Sequence, residues 1–254
     1  MKKLDVVITS GGTISKIDDV RHIGNFSEGT TGAKIAEKFV SEGHKVHYLH
    51  AKNAKRPFIR SMILNPDLPF SKEIERLNDL YRDYNNYRGF LEERTFVTYE
   101  DYYDGLRDIL CKGKIDVVIL AAAVSDYGSK RAEGKISSDK DELAITLTKN
   151  PKIISLVKQW NPKVLQVGFK LLSNVSDSEL IETAYNHGKK NNSDITVANS
   201  ISGKEFRPNT TAIISKDKTI THTSRKDLAI NLYDMILKKV GGRKWKVKEF
   251  FLRF

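Results

Sequence analysis

A glycine- and serine-rich stretch before residue 33 carries the strongest local signal for chemistry in this 254-residue chain. From Ser27 through Gly29 to Gly32 it has the S-x-G-x-x-G spacing of a dinucleotide-binding loop, with serine in the first glycine position. Such glycines let the backbone approach a phosphate, and the helix predicted at Gly32–Val40 would offer N-terminal N–H groups to the same anion. A plain Gly/Ser loop has the same composition, so both interpretations stay open.

Small side chains follow the most apolar run of the sequence, Ile115–Ala121, which predicts a central strand of a parallel sheet. Ala122 and Ala123 come directly after it, and Asp126 lies three residues further on. Ligands of open α/β sheets bind beside such strand ends, where Asp126 could accept hydrogen bonds from a hydroxyl or an amine. A tightly packed strand end with a capping aspartate is the structural alternative.

Three further residues could act on a nucleotide. Lys135 lies on a Gly/Ser-containing loop, Gly134–Ser138, from which a lysine can stabilise charge developing on phosphates. Phe169 and Asn199 are predicted at the ends of two other strands, where they could stack on a base and hydrogen-bond it. A loop lysine, a buried phenylalanine and a turn asparagine are the ordinary interpretations of the same residues.

The position of the glycines argues against an NAD(P)-dependent Rossmann oxidoreductase, which is the alternative enzyme class. In that fold the glycines follow the first strand directly, and an acidic residue ends the second. Here the first predicted strand ends at Gly11, Ser27 comes much later, and His50 rather than an acid ends the second strand.

Strands alternate with helices along most of the chain, which predicts an α/β fold: a Rossmann-like, doubly wound, mostly parallel sheet with helices on both faces. The predicted strands are Leu4–Thr9, Val46–Leu49, Ile115–Ala121, Val164–Phe169 and Ile195–Ala198, with a β-hairpin at 211–223. Predicted helices begin at Gly32, Asn150, Ser176 and Ser224. We expect one domain over residues 1–237, with an insertion at about 52–94 that could be a ligand-binding flap or a surface excursion.

The net charge of +11 is concentrated at the C-terminus, because residues 238–254 hold seven Lys/Arg and one acidic residue. This basic–aromatic tail would suit an RNA-binding protein. The alternation of Trp245 and Val247 with lysines instead favours an edge strand or interface segment. The lack of a membrane-length apolar run and the single cysteine, Cys111, predict a cytoplasmic protein that binds no membrane.

Seven short motifs occur in order between Leu4 and Leu237: ITSGGT (8–13), DDVRHIGNFSEGTTG (18–32), AAAVSDY (121–127), GKISS (134–138), KNPKIISLVKQWNP (149–162), VGFKLL (167–172) and VAN (197–199). As an ordered set they resemble the phosphopantothenoylcysteine synthetase family, the phosphopantothenate–cysteine ligases of coenzyme A biosynthesis, in their stand-alone form. The resemblance implies that a nucleoside triphosphate, CTP favoured over ATP, activates 4′-phosphopantothenate as an acyl-nucleotide before L-cysteine attacks. It also implies Mg²⁺ with the nucleotide, a homodimer with shared active sites, and no nucleic-acid partner.

The resemblance further implies a role for each matching residue. Lys135 would be needed to form the acyl-nucleotide, and Asn25 would contact the carbonyl under attack. Arg21 would reach the substrate phosphate of the neighbouring subunit. The positions implied to bind phosphopantothenate are Asn25, Ala122, Ala123 and Asp126, and those implied to bind nucleotide are Gly11, Ser27, Gly29, Gly32, Lys135, Phe169 and Asn199.

Overall fold

The computed structural model describes residues 2–139, 141–201 and 208–251, with the backbone alone at 208–210 and 242–251. The chain divides into two compact units, Met1–Val164 and Leu165–Phe254. The single domain expected over residues 1–237, followed by a tail at 238–254, stays a prediction.

The first unit alternates strands and helices as expected. Its elements are β1 (Asp5–Ser10), β2 (Ile14–Lys16), β3 (His22–Gly24), α1 (Thr30–Ser41), β4 (Lys45–Ala51), α2 (Phe70–Tyr87), β5 (Leu91–Phe96), α3 (Tyr99–Lys112), β6 (Val117–Leu120), β7 (Tyr127–Ser129), β8 (Leu147–Lys149) and α4 (Val157–Trp160). Four of these strands pair in parallel in the order β6-β1-β4-β5. Two small antiparallel hairpins, β2–β3 and β7–β8, lie outside this order.

Helices cover both faces of the parallel strands in the first unit. Alternate residues of a strand face opposite sides, so Val7 and Ser10 of β1 lie on different faces. Val7 packs in one core cluster with Tyr102 and Leu106 of α3, whereas Ser10 lies against Gly32 of α1. The predicted fold class is confirmed.

The second unit contains β9 (Leu165–Ser173), α5 (Asp177–Lys190), β10 (Ile195–Ile201), β11 (Pro208–Ser215), β12 (Ile220–Thr223) and α6 (Leu228–Phe251). β9 and β10 are parallel, β11 pairs antiparallel with β10, and β12 pairs antiparallel with β11. The predicted hairpin is confirmed. Ser176 accepts a hydrogen bond from the Glu179 amide at 3.2 Å and caps α5 as expected. Within the described residues, every helix is too short or too polar to cross a lipid bilayer.

Three local predictions are wrong. The helix predicted from Asn150 is a 3₁₀ turn followed by the short α4. β9 continues four residues past Phe169, because its pairing with β10 extends to Ser173, so Phe169 lies within a strand rather than at its end. The tail is helical to Phe251 instead of forming an edge strand: α6 is already nucleated, and lysine and arginine extend a helix readily. Residues 252–254 lie outside the described residues.

The predicted insertion, residues 52–94, is largely regular structure. It holds the 18-residue α2, and it ends within β5, which pairs in parallel with β4. An ion pair within α2, between the buried Glu73 and the partly exposed Arg76, holds the loop before the helix. Glu73 accepts hydrogen bonds from the Asn65 amide at 2.8 Å and from Arg76 Nε at 2.7 Å, while Arg76 also donates to the carbonyl of Ser61 at 2.9 Å.

Acid should loosen this loop. The Arg76 guanidinium beside Glu73, assisted by the Asn65 amide, holds the pKa of Glu73 at about 2, below its ordinary 4.5. Since a lowered native pKa stabilises the fold only while the carboxylate is charged, this contribution is complete above about pH 4.5 and declines towards pH 2. We expect the urea midpoint of the wild type to fall more than that of Glu73→Gln between pH 6 and pH 3. Glu75→Gln, which alters an exposed carboxylate, should behave like the wild type.

Candidate functional site

The C-terminal end of β1 meets the N-terminus of α1 through glycines. Gly29 is the N-cap of α1 with φ 78°, and its carbonyl accepts a hydrogen bond from Ser10 Oγ at 2.9 Å. A Cβ on Gly32 would lie 2.4 Å from Ser10 Oγ, and one on Gly11 would lie 2.6 Å from the Cβ of Ala51. These glycines therefore allow close packing of strand and helix, which directs the first N–H groups of α1 towards the end of the sheet.

The ends of β1 and β6 are joined at Ala123. Its N–H donates to the Gly11 carbonyl at 2.8 Å, and its own carbonyl accepts from Thr13 N–H at 3.1 Å. The same carbonyl accepts from Asn25 Nδ2 at 3.1 Å. This second contact orients the exposed amide of Asn25, and Ser27 N–H donates to the Asn25 carbonyl at 2.9 Å. The structure thus brings together Asn25, Ala123 and Gly11.

Hydroxyl groups hold the segment after β6. Ala122 N–H donates to Thr9 Oγ1 at 3.2 Å, and Ser125 N–H donates to Thr13 Oγ1 at 2.8 Å. Thr9 Oγ1 also accepts from the hydroxyl of Tyr102 at 3.3 Å. Burial raises the pKa of Tyr102, which keeps this hydroxyl protonated as a donor.

Asp126 follows that segment and forms an ion pair with Lys152. Both side chains are about half exposed, so the pair orients the carboxylate without removing it from solvent. The Asp126 carbonyl accepts from Asn150 N–H at 2.8 Å. A polar cavity of about 370 Å³ borders the same segment at Ser125 and Asn150.

The hairpin β2–β3 occupies the chain between Gly12 and Asn25, where the sequence predicted no element. Its turn carries Arg21, whose Nη2 donates to the Ile136 carbonyl at 2.8 Å. Lys135 is exposed, and Gly134 before it has φ 71°. Arg21 therefore contacts the residue that follows Lys135 in the same chain. The implied role of Arg21 in a neighbouring subunit stays a prediction.

Phe169 and Asn199 lie in the second unit. Phe169 pairs with Val197, and Leu171 pairs with Asn199, so the two candidate residues are two positions apart on one face of adjacent parallel strands. Asn199 Oδ1 accepts from Thr211 Oγ1 at 3.1 Å. The register between β10 and β11 shifts between Asn199 and Ile201, a distortion of the kind that often lies near binding sites.

The described residues contain no group of three or more His, Cys, Asp or Glu side chains that could hold a metal ion.

The sequence matches the profile of the DNA/pantothenate metabolism flavoprotein C-terminal domain over residues 1–63 and 103–240. The chain belongs to this family. The unmatched internal segment, residues 64–102, contains α2 and β5.

Curated relatives support the same family. The chain is 31% identical over 236 residues to the coenzyme A biosynthesis bifunctional protein CoaBC of Thermococcus kodakarensis, an alignment that covers 92% of the chain and 51% of that protein. It is also 31% identical over 221 residues to phosphopantothenate–cysteine ligase 1 of Arabidopsis thaliana, covering 77% of the chain and 69% of that relative. The chain spans about half the length of the bifunctional relatives it matches.

Solved structures share the fold. The DNA/pantothenate metabolism flavoprotein from Streptococcus pneumoniae superposes with a TM-score of 0.72 at 26% identity, covering 93% of this chain and 99% of the other. A Cab2 variant in complex with phosphopantothenate-cysteine superposes with a TM-score of 0.76 over 97% of this chain and 88% of the other. At 23% identity the latter shows the fold alone.

Sequence reasoning missed two residues that contact the candidate site. Lys152 pairs with Asp126. It follows Asn150-Pro151 in the sequence, and this position after a proline is the one local signal that marks it. Asp18 contacts the backbone beside Lys135, but its partner is 118 residues away, a distance along the chain that no local pattern spans.

Proposed function

We propose that the protein is a ligase that joins 4′-phosphopantothenate to L-cysteine and forms 4′-phosphopantothenoyl-L-cysteine for coenzyme A biosynthesis. The observation that carries this proposal is the similarity to a phosphopantothenate–cysteine ligase over two thirds of that enzyme's length. The placement of Asn25 and Ala123 at adjoining strand ends supports it.

In the first step the substrate carboxylate attacks the α-phosphate of the nucleotide, a P–O bond breaks, and pyrophosphate leaves with the bonding electrons. We assign the phosphates to the α1 N-terminus, where the Gly29 cap leaves N–H groups of the first turn to bind an anion. The exposed ammonium of Lys135 would stabilise charge that grows on the departing pyrophosphate. Phe169 and Asn199 are assigned to the nucleotide on their shared strand face.

In the second step the cysteine amine attacks the acyl carbonyl and forms the amide C–N bond. The C–O bond to the phosphate breaks, the nucleoside monophosphate leaves with the bonding electrons, and the attacking nitrogen loses a proton to solvent. The amide of Asn25 has two hydrogens, and one binds the Ala123 carbonyl. We assign the other to the carbonyl oxygen under attack. Ala122 would leave space for the substrate, and Asp126, oriented by Lys152, would accept hydrogen bonds from it.

Asn25→Asp should therefore separate the two steps. Aspartate keeps the size of the side chain but cannot donate a hydrogen bond to a developing oxyanion when it is ionised. We expect acyl-nucleotide to accumulate in rapid-quench mass spectrometry, while the second step slows by about 100-fold. Equal slowing of both steps would contradict this role. Asn65→Asp is the matched control, because it makes the same change from amide to carboxylate at an exposed position in the loop before α2.

We propose that Mg²⁺ accompanies the nucleotide and is held chiefly by phosphate oxygens, and that CTP is favoured over ATP. The test is pyrophosphate release from phosphopantothenate and either nucleotide, with cysteine omitted and EDTA as a control. Faster release with CTP, abolished by EDTA, supports the proposal. Faster release with ATP would reverse the nucleotide assignment, and no release with either would remove the acyl-nucleotide step.

We also propose a cytoplasmic homodimer in which Arg21 serves the partner's substrate phosphate. Mixing Arg21→Gln and Lys135→Ala proteins, each strongly impaired, would restore part of the activity if subunits exchange and sites are shared. The restored activity should stay below that of one wild-type site per dimer, because Arg21→Gln also removes the Ile136 contact beside Lys135. A monomer by light scattering would contradict the shared sites.

A further inference from the structure

A buried carboxylate binds the segment that carries Lys135. Asp18 lies in the turn of the β2–β3 hairpin, and its side chain is fully buried. One oxygen, Oδ2, accepts a hydrogen bond from Ile136 N–H at 3.2 Å. The other, Oδ1, accepts from the N–H groups of Val20 and Arg21 at 2.8 and 2.7 Å. The carboxylate therefore joins its own turn to the residue that follows Lys135.

Arg21 completes this contact from the other side of the same residue. Its Nη2 donates to the Ile136 carbonyl at 2.8 Å, and its Nη1 lies 3.5 Å from Asp18 Oδ2. Both polar backbone groups of Ile136 are thus held by one ion pair. On the other side of Lys135, the Gly134 carbonyl accepts from Asp19 N–H at 3.1 Å. The lysine side chain is exposed, but the backbone on both sides of it is anchored.

We propose that Asp18 is a positioning residue for the ligase reaction: through Ile136 and Arg21 it fixes the backbone from which Lys135 reaches the nucleotide. This inference rests on the proposed role of Lys135. Asp18 itself is buried away from any substrate, and it acts only through the residues it holds.

A neutral side chain cannot replace this carboxylate. Burial alone would raise the pKa of Asp18, but three backbone N–H groups and the Arg21 guanidinium hold it below its ordinary value, so the group is charged at neutral pH. Asparagine has one acceptor oxygen instead of two, and its NH₂ group would face either the Ile136 amide or the donors of the turn. Two donors of the turn meet Oδ1 and one amide meets Oδ2, so the single acceptor oxygen of asparagine would stay at the turn. The Ile136 contact would be lost, and the ion pair with it.

Asp18→Asn should slow pyrophosphate release on the order of 100-fold, the cost of a small misplacement of a reacting group. Asp19→Asn is the matched control, because the exposed Asp19 carboxylate pairs with Arg131 and its backbone contact to Gly134 survives the substitution. Its rate should be unchanged. Equal rates for wild type and Asp18→Asn would overturn the proposal.

A double-mutant cycle separates positioning from general support of the fold. In a Lys135→Ala background, Asp18→Asn should cost no further rate in the first step, because the residue through which it acts is already gone. An equal loss in both backgrounds would show a purely structural role. Asp18→Ser is the second variant, and failure of both variants to fold would likewise overturn the proposal.

Hydrogen exchange of the Ile136 amide tests the anchoring by Asp18 without any substrate present. We expect protection in wild type and Asp19→Asn, and exchange at least tenfold faster in Asp18→Asn, since the amide loses its acceptor. If the amide exchanges faster in Asp18→Asn but the wild type shows no ligase activity, the proposed ligase function is rejected and the anchoring of Ile136 stands. Unchanged exchange would reject the anchoring itself.

Discussion

Lys135→Ala is expected to slow pyrophosphate release by about 100- to 1000-fold, the usual cost of losing one preorganised charge that stabilises a transition state. The ammonium is exposed, whereas the backbone of Gly134 and Ile136 on both sides of it is anchored to the β2–β3 hairpin. The loss should therefore appear in the rate of the first step, with little change in thermal stability. Stopped-flow detection of pyrophosphate measures it directly.

Lys130→Ala is the matched control for that variant. It removes an exposed lysine from the same connection, between β7 and Gly134, and should retain the wild-type rate. If Lys135→Ala also retained that rate, the catalytic role of Lys135 would be wrong. If both variants lost activity to the same degree, the rate would depend on the total positive charge of this segment and not on Lys135 in particular.

Gly11→Ala should have the largest effect on stability, lowering the free energy of unfolding by about 2–4 kcal/mol from strain and overpacking together. Gly11 has φ 84°, where an L-residue is strained, and its Cβ would lie 2.6 and 2.7 Å from the Cβ atoms of Ala51 and Ala54. Neither methyl belongs to a flexible side chain that could move aside. Urea unfolding of the two proteins gives the difference.

Gly134→Ala measures the cost of backbone strain without the close contacts. Gly134 also has a positive φ, 71°, but a Cβ there would meet nothing within 4 Å. Its loss of stability should be about 1–2 kcal/mol, the cost of the left-handed conformation alone. Equal losses for Gly11→Ala and Gly134→Ala would contradict the close packing at the end of β1.

The sequence predicted best the elements whose signal is local. The apolar run Ile115–Ala121 contains β6, and the spacing of apolar residues over Gly32–Val40 lies within α1. Both patterns depend on burial within one short segment. By contrast, β2 and β3 have three residues each and too few side chains to show any periodicity. The hairpin that carries Arg21 was therefore invisible to pattern analysis.

Long-range pairing decided what the sequence could not. β9 extends past Phe169 because β10 continues alongside it to Ile201. The C-terminal helix is a different case, because elongation of an existing helix is local. The candidate site shows the same division. Glycine spacing located Gly29 and Gly32, although in the structure these glycines serve the packing of α1 against Ser10. The role inferred for Asp18 depends on Ile136, which only the folded chain brings near it.

The proposed ligase activity is tested most directly by incubating the protein with 4′-phosphopantothenate, L-cysteine, Mg²⁺ and either CTP or ATP, and following the products by mass spectrometry. We expect 4′-phosphopantothenoyl-L-cysteine together with equal amounts of pyrophosphate and nucleoside monophosphate, formed faster with CTP. No ligated product with either nucleotide, from a protein shown to be folded, would contradict the proposed activity.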